Sequence, residues 1–271
     1  MNDSWKVQVW GVRGSFPTVG ADFQMYGGNT SCISVDLGDS LVVLDAGSGL
    51  VSLGEQLLQE KRRRVDIFIS HLHLDHVMGL FPFPLLHNRW AEIHLYGSPN
   101  TVRELAHLVE PPLWPVGLTN CQAKVWLTDV WTGNPLSLAD GAAPGLTITA
   151  LGGNHPGGCI YYRLEGNGHN LVYVLDCELT DNMSARLTEF AQGTGLLVWD
   201  ASFAPGELKP GWGHSTWEQG IALGRAAGAK RVLMTHYSSD YTDEFLQEQE
   251  RLASSTSELS CFAREGMVIQ L

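Results

Sequence analysis

The sequence predicts an α/β (α+β) protein in which two β-sheets lie face to face with helices outside, in one domain over 1–271. Three observations carry that expectation. Segments with strand patterning come first in pairs and then alternate with helical segments, and this order occurs in both halves of the chain. No linker or shift of composition separates the halves. A chain of 271 residues, 44% hydrophobic, can bury a substantial core, while 30 Gly and 12 Pro provide tight loops between elements.

In order, residues 6–10 alternate as a strand, broken by the glycine-rich loop Gly11-Val12-Arg13-Gly14-Ser15-Phe16-Pro17. Residues 30–36 and 40–44 read as paired strands around Leu37-Gly38-Asp39. Asp45-Ala46-Gly47-Ser48-Gly49 ends the second, and 50–60 has helical spacing through Leu50, Leu53, Leu57 and Leu58. A strand over 65–69 follows, then a strand over 92–96 and a helix over 101–109 in a proline-punctuated region. That region carries Trp90 and Trp114 and leaves open a pocket wall or a subunit contact of a homodimer. Strands are expected at 123–130, 135–138, 146–151, 158–164 and 171–175, with a hairpin at Glu165-Gly166-Asn167-Gly168. A helix over 180–191 and a strand over 196–199 lead to the Gly/Pro-rich loop 204–213. Ser215-Thr216-Trp217-Glu218 reads as a capping box opening a helix that runs through Ala227 and stops at Gly228. A strand over 231–234, a helix over 242–253 and a strand over 267–271 complete the chain.

Composition narrows the function. No stretch approaches the length of a membrane span. Met1-Asn2-Asp3-Ser4-Trp5 has neither a basic start nor an apolar core segment, so the expected location is cytoplasmic. The five cysteines are scattered without paired spacing and read as free thiols. A net charge of −12 argues against a protein that grips a long nucleic acid by its backbone. An anionic substrate would be drawn in locally, by bound metal ions and a few arginines. The basic run Lys61-Arg62-Arg63-Arg64 sits where a helix ends, where cations interact favourably with the last carbonyls.

The densest chemistry is His71-Leu72-His73-Leu74-Asp75-His76, four potential metal ligands in six residues, directly after an apolar strand. Imidazoles and a carboxylate suit zinc, manganese or iron. Three more ionisable residues follow strands: His155, Asp176 and His236. If those strand ends converge, His71, His73 and His155 would hold one divalent ion, and Asp75, His76 and His236 a second. Asp176 would bridge them. Two ions a few ångströms apart can lower the pKa of a water and stabilise the oxyanions of an in-line displacement, which suits hydrolysis.

With these residues in order, the chain resembles the metallo-β-lactamase superfamily over nearly its whole length, through H-x-H-x-D-H at His71 to His76, then His155, Asp176 and His236. The resemblance implies a four-layer αββα sandwich of two mixed sheets, with a dinuclear site at one sheet edge. The second half looks more like the phosphodiesterase branch that includes tRNase Z. Trp199-Asp200-Ala201-Ser202-Phe203 resembles its H-E-A-T-F segment, Gly213-His214-Ser215-Thr216 carries H-S-T, and Thr235-His236-Tyr237-Ser238 is similar to T-H-F-S. The resemblance makes His214 the general acid and Asp200 its orienting carboxylate, so the catalytic set is Asp75, His214 and Asp200. An imidazolium held by a carboxylate suits protonation of an alkoxide leaving group near neutral pH. Two features depart from the tRNase Z pattern: Asp200 stands in place of Glu, and the short span between His155 and Asp176 has no room for an exosite arm.

Smaller candidates remain. Asp45 is either a partner that fixes a ligand histidine or an Asx-turn residue. Arg13 and Arg163 either meet phosphate or are solvated. His94 alternates with Ile93 and Leu95 and is expected to face solvent; His87, His107 and His169 fit no motif. Cys177 is expected to point away from the metals into packing, and Trp212 in the 204–213 loop could stack on a base. The expected function is dinuclear metal-dependent hydrolysis of a small nucleotide-like or cyclic phosphodiester by metal-bound hydroxide, with zinc, manganese or iron. The alternatives are acyl or thioester hydrolysis and a non-hydrolytic iron protein that senses oxygen or redox state.

Overall fold

The structure, a computed structural model, describes residues 4–138 and 141–271, so Met1 to Asp3 of the N-terminal stretch lie outside it. Thirteen strands and six α-helices, joined by short 3-10 turns, follow the chain among the described residues. The first sheet is built from β1 (Lys6–Gly11), β2 (Cys32–Asp36), β3 (Leu41–Leu44), β4 (Arg64–Phe68), β5 (Glu92–Gly97), β6 (Lys124–Asp129) and the last strand of the chain, β13 (Val268–Gln270). The second is built from β7 (Thr147–Gly152), β8 (Ile160–Gly166), β9 (His169–Val174), β10 (Leu196–Asp200), β11 (Val232–Thr235) and β12 (Ser260–Phe262).

Their orders are β13-β1-β2-β3-β4-β5-β6 and β12-β11-β10-β9-β8-β7. Each sheet changes character midway. β13, β1, β2 and β3 pair antiparallel and β3 to β6 parallel. Likewise β7, β8 and β9 pair antiparallel, and β9 to β12 parallel. The inner strands of the parallel halves, β3, β10 and β11, are buried on both faces and read as continuous apolar runs.

Side-chain alternation sorts each strand between two cores. In β3, Val42 and Leu44 pack in a cluster shared with Ile148, Tyr162, Tyr173 and Val198 of the second sheet. Val43 points the other way, with Val65 and Ile67 of β4, onto Leu50, Leu53 and Leu57 of α1 (Leu50–Glu60) and Leu105 of α3 (Pro99–Leu108). The second sheet's outer face is covered by α4 (Asp181–Phe190) and α5 (Trp217–Ala227), through Met183, Leu187 and Ile221. The result is helices, sheet, sheet, helices, the four-layer order expected. α2 (Leu74–Val77) lies at one end of the sandwich, and α6 (Asp243–Thr256) packs beside β12.

Local expectations fare unevenly. The β8–β9 hairpin turns on Asn167 and Gly168, both at positive φ, as a two-residue turn requires. The segment 135–138 makes only an isolated bridge, Leu136 to Ile148, not a strand. The capping box lies one residue later than expected: Thr216 caps α5 and exchanges hydrogen bonds with Gln219, because the Ser215 hydroxyl is already donated to the buried Cys177 carbonyl. The basic run turns sideways rather than onto the helix end. Lys61 takes the left-handed cap conformation, while Arg62 and Arg63 pair with Asp36 of β2 and Glu92 of β5, and Arg64 with Asp66 of its own strand β4. His94 is buried and stacks on Trp126 at 4.4 Å instead of facing solvent, because β5 is covered on both faces.

Candidate metal centre

The two sheets place ionisable residues at the carboxyl ends of their parallel strands. Asp45 follows β3, His71 lies just past β4, Asp176 just past β9, Asp200 ends β10 and His236 follows β11. β9, β10 and β11 are adjacent and parallel, so three of these residues emerge side by side. His155 comes from the β7–β8 loop, and Asp75 and His76 from α2. Among the described residues, six other than glycine have positive φ, and four of them are here: Ser15, Asp45, Asp176 and His236. Left-handed backbone costs about 1–2 kcal/mol per residue, and its concentration at one edge fits a site that aims side chains rather than minimising strain.

Two donor sets result. His71, His73, His155 and Asp176 form one, and Asp75, His76 and His236 another, with ligand atoms within 4.8 Å of one another in each. In the first, His155 Nε2 lies 3.0 Å from His73 Nδ1 and 3.5 Å from Asp176 Oδ1. In the second, His76 Nε2 lies 3.1 Å from His236 Nε2 and 3.3 Å from Asp75 Oδ2. Asp176 reaches this set through its other oxygen, Oδ2, 2.9 Å from His76 Nε2 and 3.2 Å from His236 Nε2. One carboxylate thus offers one oxygen to each set. Four ligands about 2.0–2.1 Å from a zinc ion lie about 3.3 Å apart, close to these separations.

Proton accounting makes the fit sharper. His76 Nδ1 donates to Asp45 Oδ2 at 2.7 Å, and His155 Nδ1 to the Gly213 carbonyl at 2.9 Å. His236 Nδ1 donates to Ser202 Oγ at 2.8 Å, whose own proton goes to the His236 carbonyl. In the neutral state that metal ligation requires, the inner nitrogens of these rings carry lone pairs that face one another. His71 Nε2 and Asp176 Oδ2, both buried, have no hydrogen-bond partner. A cation satisfies all of these atoms at once.

The fields agree. Burial opposes charge on His76, yet Asp176, Asp75 and Asp45 outweigh it and push the imidazole well above its usual range. Burial likewise opposes charge on Asp176, and His236, His76 and His71 hold its carboxyl well below the ordinary value. His71, with burial and His76 both against its charge, is held well down. Asp45 accepts from Ser70 N, Ser70 Oγ and Tyr173 Oη besides His76, so its carboxylate fixes the His76 ring rather than a local turn. Ser15 N donates to Asp75 Oδ2 at 2.8 Å, bringing the glycine-rich loop against the second set. A Cβ on Gly14 would stand 2.5 Å from the His236 ring.

His214 stands beside both sets. Its Nδ1 is 3.0 Å from Asp200 Oδ2 and 3.8 Å from Asp176 Oδ1. Asp200 is fully buried and fixed by the N–H groups of Cys177 and Ser202. Although burial lowers it, the Asp200 carboxylate, with Asp176 and Asp75 behind it, holds the His214 imidazole up to about 9. Asp176, His214 and His236 also fall within ligand distance of one another. The commitment of His214 Nδ1 to Asp200 favours a proton-carrying role, with Nε2 left to donate.

Other expectations resolve differently. Arg13 is buried and donates to the Gly27, Ser238 and Tyr241 carbonyls; Arg163 reaches Phe190 and Gln192 carbonyls and Glu165. Arg13 thus ties three loop carbonyls together, and Arg163 ties β8 to the end of α4. Cys177 is buried in the main core, as expected. Trp212 is 59% exposed beside Lys209. Sequence reasoning passed over Ser70, Tyr173, Ser202 and Glu178, because a hydroxyl or carboxylate signals nothing until its neighbouring strand or loop is known. Among the described residues, no helix is long and apolar enough to cross a membrane.

Comparison with known proteins gives a consistent assignment. The profile described as the beta-lactamase superfamily domain matches residues 41–237. A ribonuclease Z of Deinococcus radiodurans is 22% identical, over 85% of this chain and 92% of its own length. Among solved structures, the metallo-beta-lactamase fold protein YhfI of Bacillus subtilis superposes with a TM-score of 0.77 at 22% identity, covering all of both chains. A diphosphatase of the PhnP family gives 0.71 at 22% identity, covering 98% of this chain and 97% of its own.

Proposed function

The chain belongs to the beta-lactamase superfamily, and from that membership we propose that it is a dinuclear metal-dependent phosphodiesterase, with His71, His73, His155, Asp75, His76 and His236 as ligands and Asp176 shared. The observation that carries the choice of bond is the His214–Asp200 pair, 3.0 Å apart at the edge of both donor sets. A pair of divalent ions, when bound, supplies Lewis acidity for the phosphoryl oxygens and lowers the pKa of a water toward neutrality.

The chain's own residues do the rest. Asp45, Ser70, Ser202 and the Gly213 carbonyl hold the outer nitrogens of the ligand histidines and so fix which nitrogen faces inward. Asp200 keeps His214 charged, and His214 Nε2 delivers its proton to the departing alkoxide oxygen. An alkoxide needs that proton, whereas a p-nitrophenolate leaves without it. A lactone or thioester hydrolase has less use for such an acid, which sets the acyl alternative below this reading.

The substrate class is a small nucleotide-like or cyclic phosphodiester. The Deinococcus radiodurans relative is named a ribonuclease and one structural neighbour a diphosphatase. The ribonuclease name weakens the charge-based expectation against a long nucleic acid, so RNA belongs among the substrates tested. Metal-loaded protein is assayed against bis-p-nitrophenyl phosphate, cyclic and linear dinucleotides, short RNA and a lactone. Phosphodiester turnover is expected, and turnover of the lactone alone would overturn the reading.

A further inference from the structure

Glu178 lies two residues past Asp176, and its carboxylate gathers three N–H bonds from one loop. Gly211 N donates to Oε1 and Oε2 at 3.0 and 2.8 Å, and Gly213 N to Oε2 at 2.9 Å. Both glycines have positive φ, which turns their N–H groups toward one anion, as in a backbone nest. The base of Glu178 is fixed in turn. Its N–H donates to the Asn154 carbonyl at 3.0 Å, and its own carbonyl accepts from Asn154 Nδ2 at 2.8 Å.

The loop so held, 204–213, is otherwise tied at its root, where Ala204 N donates to Tyr241 Oη at 2.9 Å, and at Glu207, whose carboxylate accepts from the same tyrosine hydroxyl. Its far end carries two groups of the proposed centre. The Gly213 carbonyl accepts from His155 Nδ1 at 2.9 Å, and His214 is the next residue. Contact there is tight: a Cβ on Gly213 would lie 2.1 Å from His155 Nδ1.

We infer that Glu178 is a positioning residue, a latch that holds the 204–213 loop so that its carbonyl orients His155 toward the first metal and its end aims His214. The inference rests on the metal-centre reading above but needs no turnover to be tested. Removing the carboxylate frees the Gly211 and Gly213 amides, slackens the His155–Gly213 bond and leaves the second donor set untouched.

The test uses purified full-length protein with Glu178→Ala and Glu178→Gln. Glu178 stands near the surface, so neither change disturbs the core. In Glu178→Ala, hydrogen exchange across 205–214 should quicken. Zinc affinity at the first site, measured by chelator competition, should fall by about tenfold, the lower end of the usual loss for a partner of a ligand histidine. Affinity at the second site should hold. Glu178→Gln keeps one acceptor oxygen and should recover much of the loss. Unchanged first-site affinity, an equal fall at both sites, or a Gln variant as poor as Ala would overturn the latch, the last because it would mark a charge effect. Failure of the phosphodiesterase reading shows instead as two-site zinc binding without phosphodiester turnover.

Discussion

The first sheet and the second supply the proposed centre in opposite ways. The first spends six consecutive residues, His71 to His76, which arrive together on one loop and a single turn of helix. The second contributes Asp176, Asp200 and His236 one at a time, each at the end of a different parallel strand, with adjacency created by the order β9-β10-β11. A local cluster keeps its geometry as long as its loop does. A distributed set depends on strand register, since a slip of one residue would turn every one of these side chains away.

The sharpest way to break the contrast is to remove the group that joins the halves. Asp176→Asn tolerates the left-handed backbone at this position but loses the shared charge. Elemental analysis should show metal falling from two ions per chain to one or fewer, with phosphodiester turnover lost. Retention of both ions would dismiss the bridge.

Next in size is His214→Ala, which touches only the second sheet's contribution. Turnover of alkyl-leaving diesters should drop on the order of 10²–10⁴-fold, while p-nitrophenyl esters lose far less. Equal losses on both would remove the acid role.

Asp45→Asn probes the first sheet's anchor. It weakens the direct hold on His76 and should lower second-site metal affinity by about 10–100-fold, more than first-site affinity, which Asp45 reaches only through Ser70 and His71. Chelator titration separates the two.

The pH profile sharpens the same comparison. An acid must carry its proton, so kcat on alkyl esters should fall as pH rises through the His214 value, which the carboxylates hold up to about 9. Cations on Asp75 and Asp176 cancel part of that support and move the limb toward neutrality. Asp200→Asn should move it lower still. A profile flat through pH 9 in the wild-type protein would count against His214.

The smallest effect serves as a control outside both halves of the site. Lys61→Gly relieves a left-handed residue at the α1 cap and should stabilise the fold by about 1 kcal/mol in urea denaturation, with metal content unchanged.

The same contrast explains what the sequence disclosed. His71 to His76 was legible because its meaning is local. His155, Asp176 and His236 could be picked out only as ionisable residues after apolar runs, and the resemblance supplied the roles of His214 and Asp200. Ser202 and Glu178 were invisible, because the partners that give them meaning lie 34 and 33–35 residues away along the chain. Alternation misplaced His94, since period two separates faces but does not say whether the second face meets water. The capping motif could be set in two adjacent registers, and only the buried partner of Ser215 decides between them.

Four buried aspartates, Asp45, Asp75, Asp176 and Asp200, crowd one edge of the sandwich. Without cations their charge is answered by protons, chiefly on His76 and His214. Filling the proposed centre would therefore be an exchange of cations: a metal entering it would displace a proton from His76 or weaken the hold on the one at His214. Loading an unbuffered solution of the protein should acidify it, and the grip on metal should tighten as pH rises.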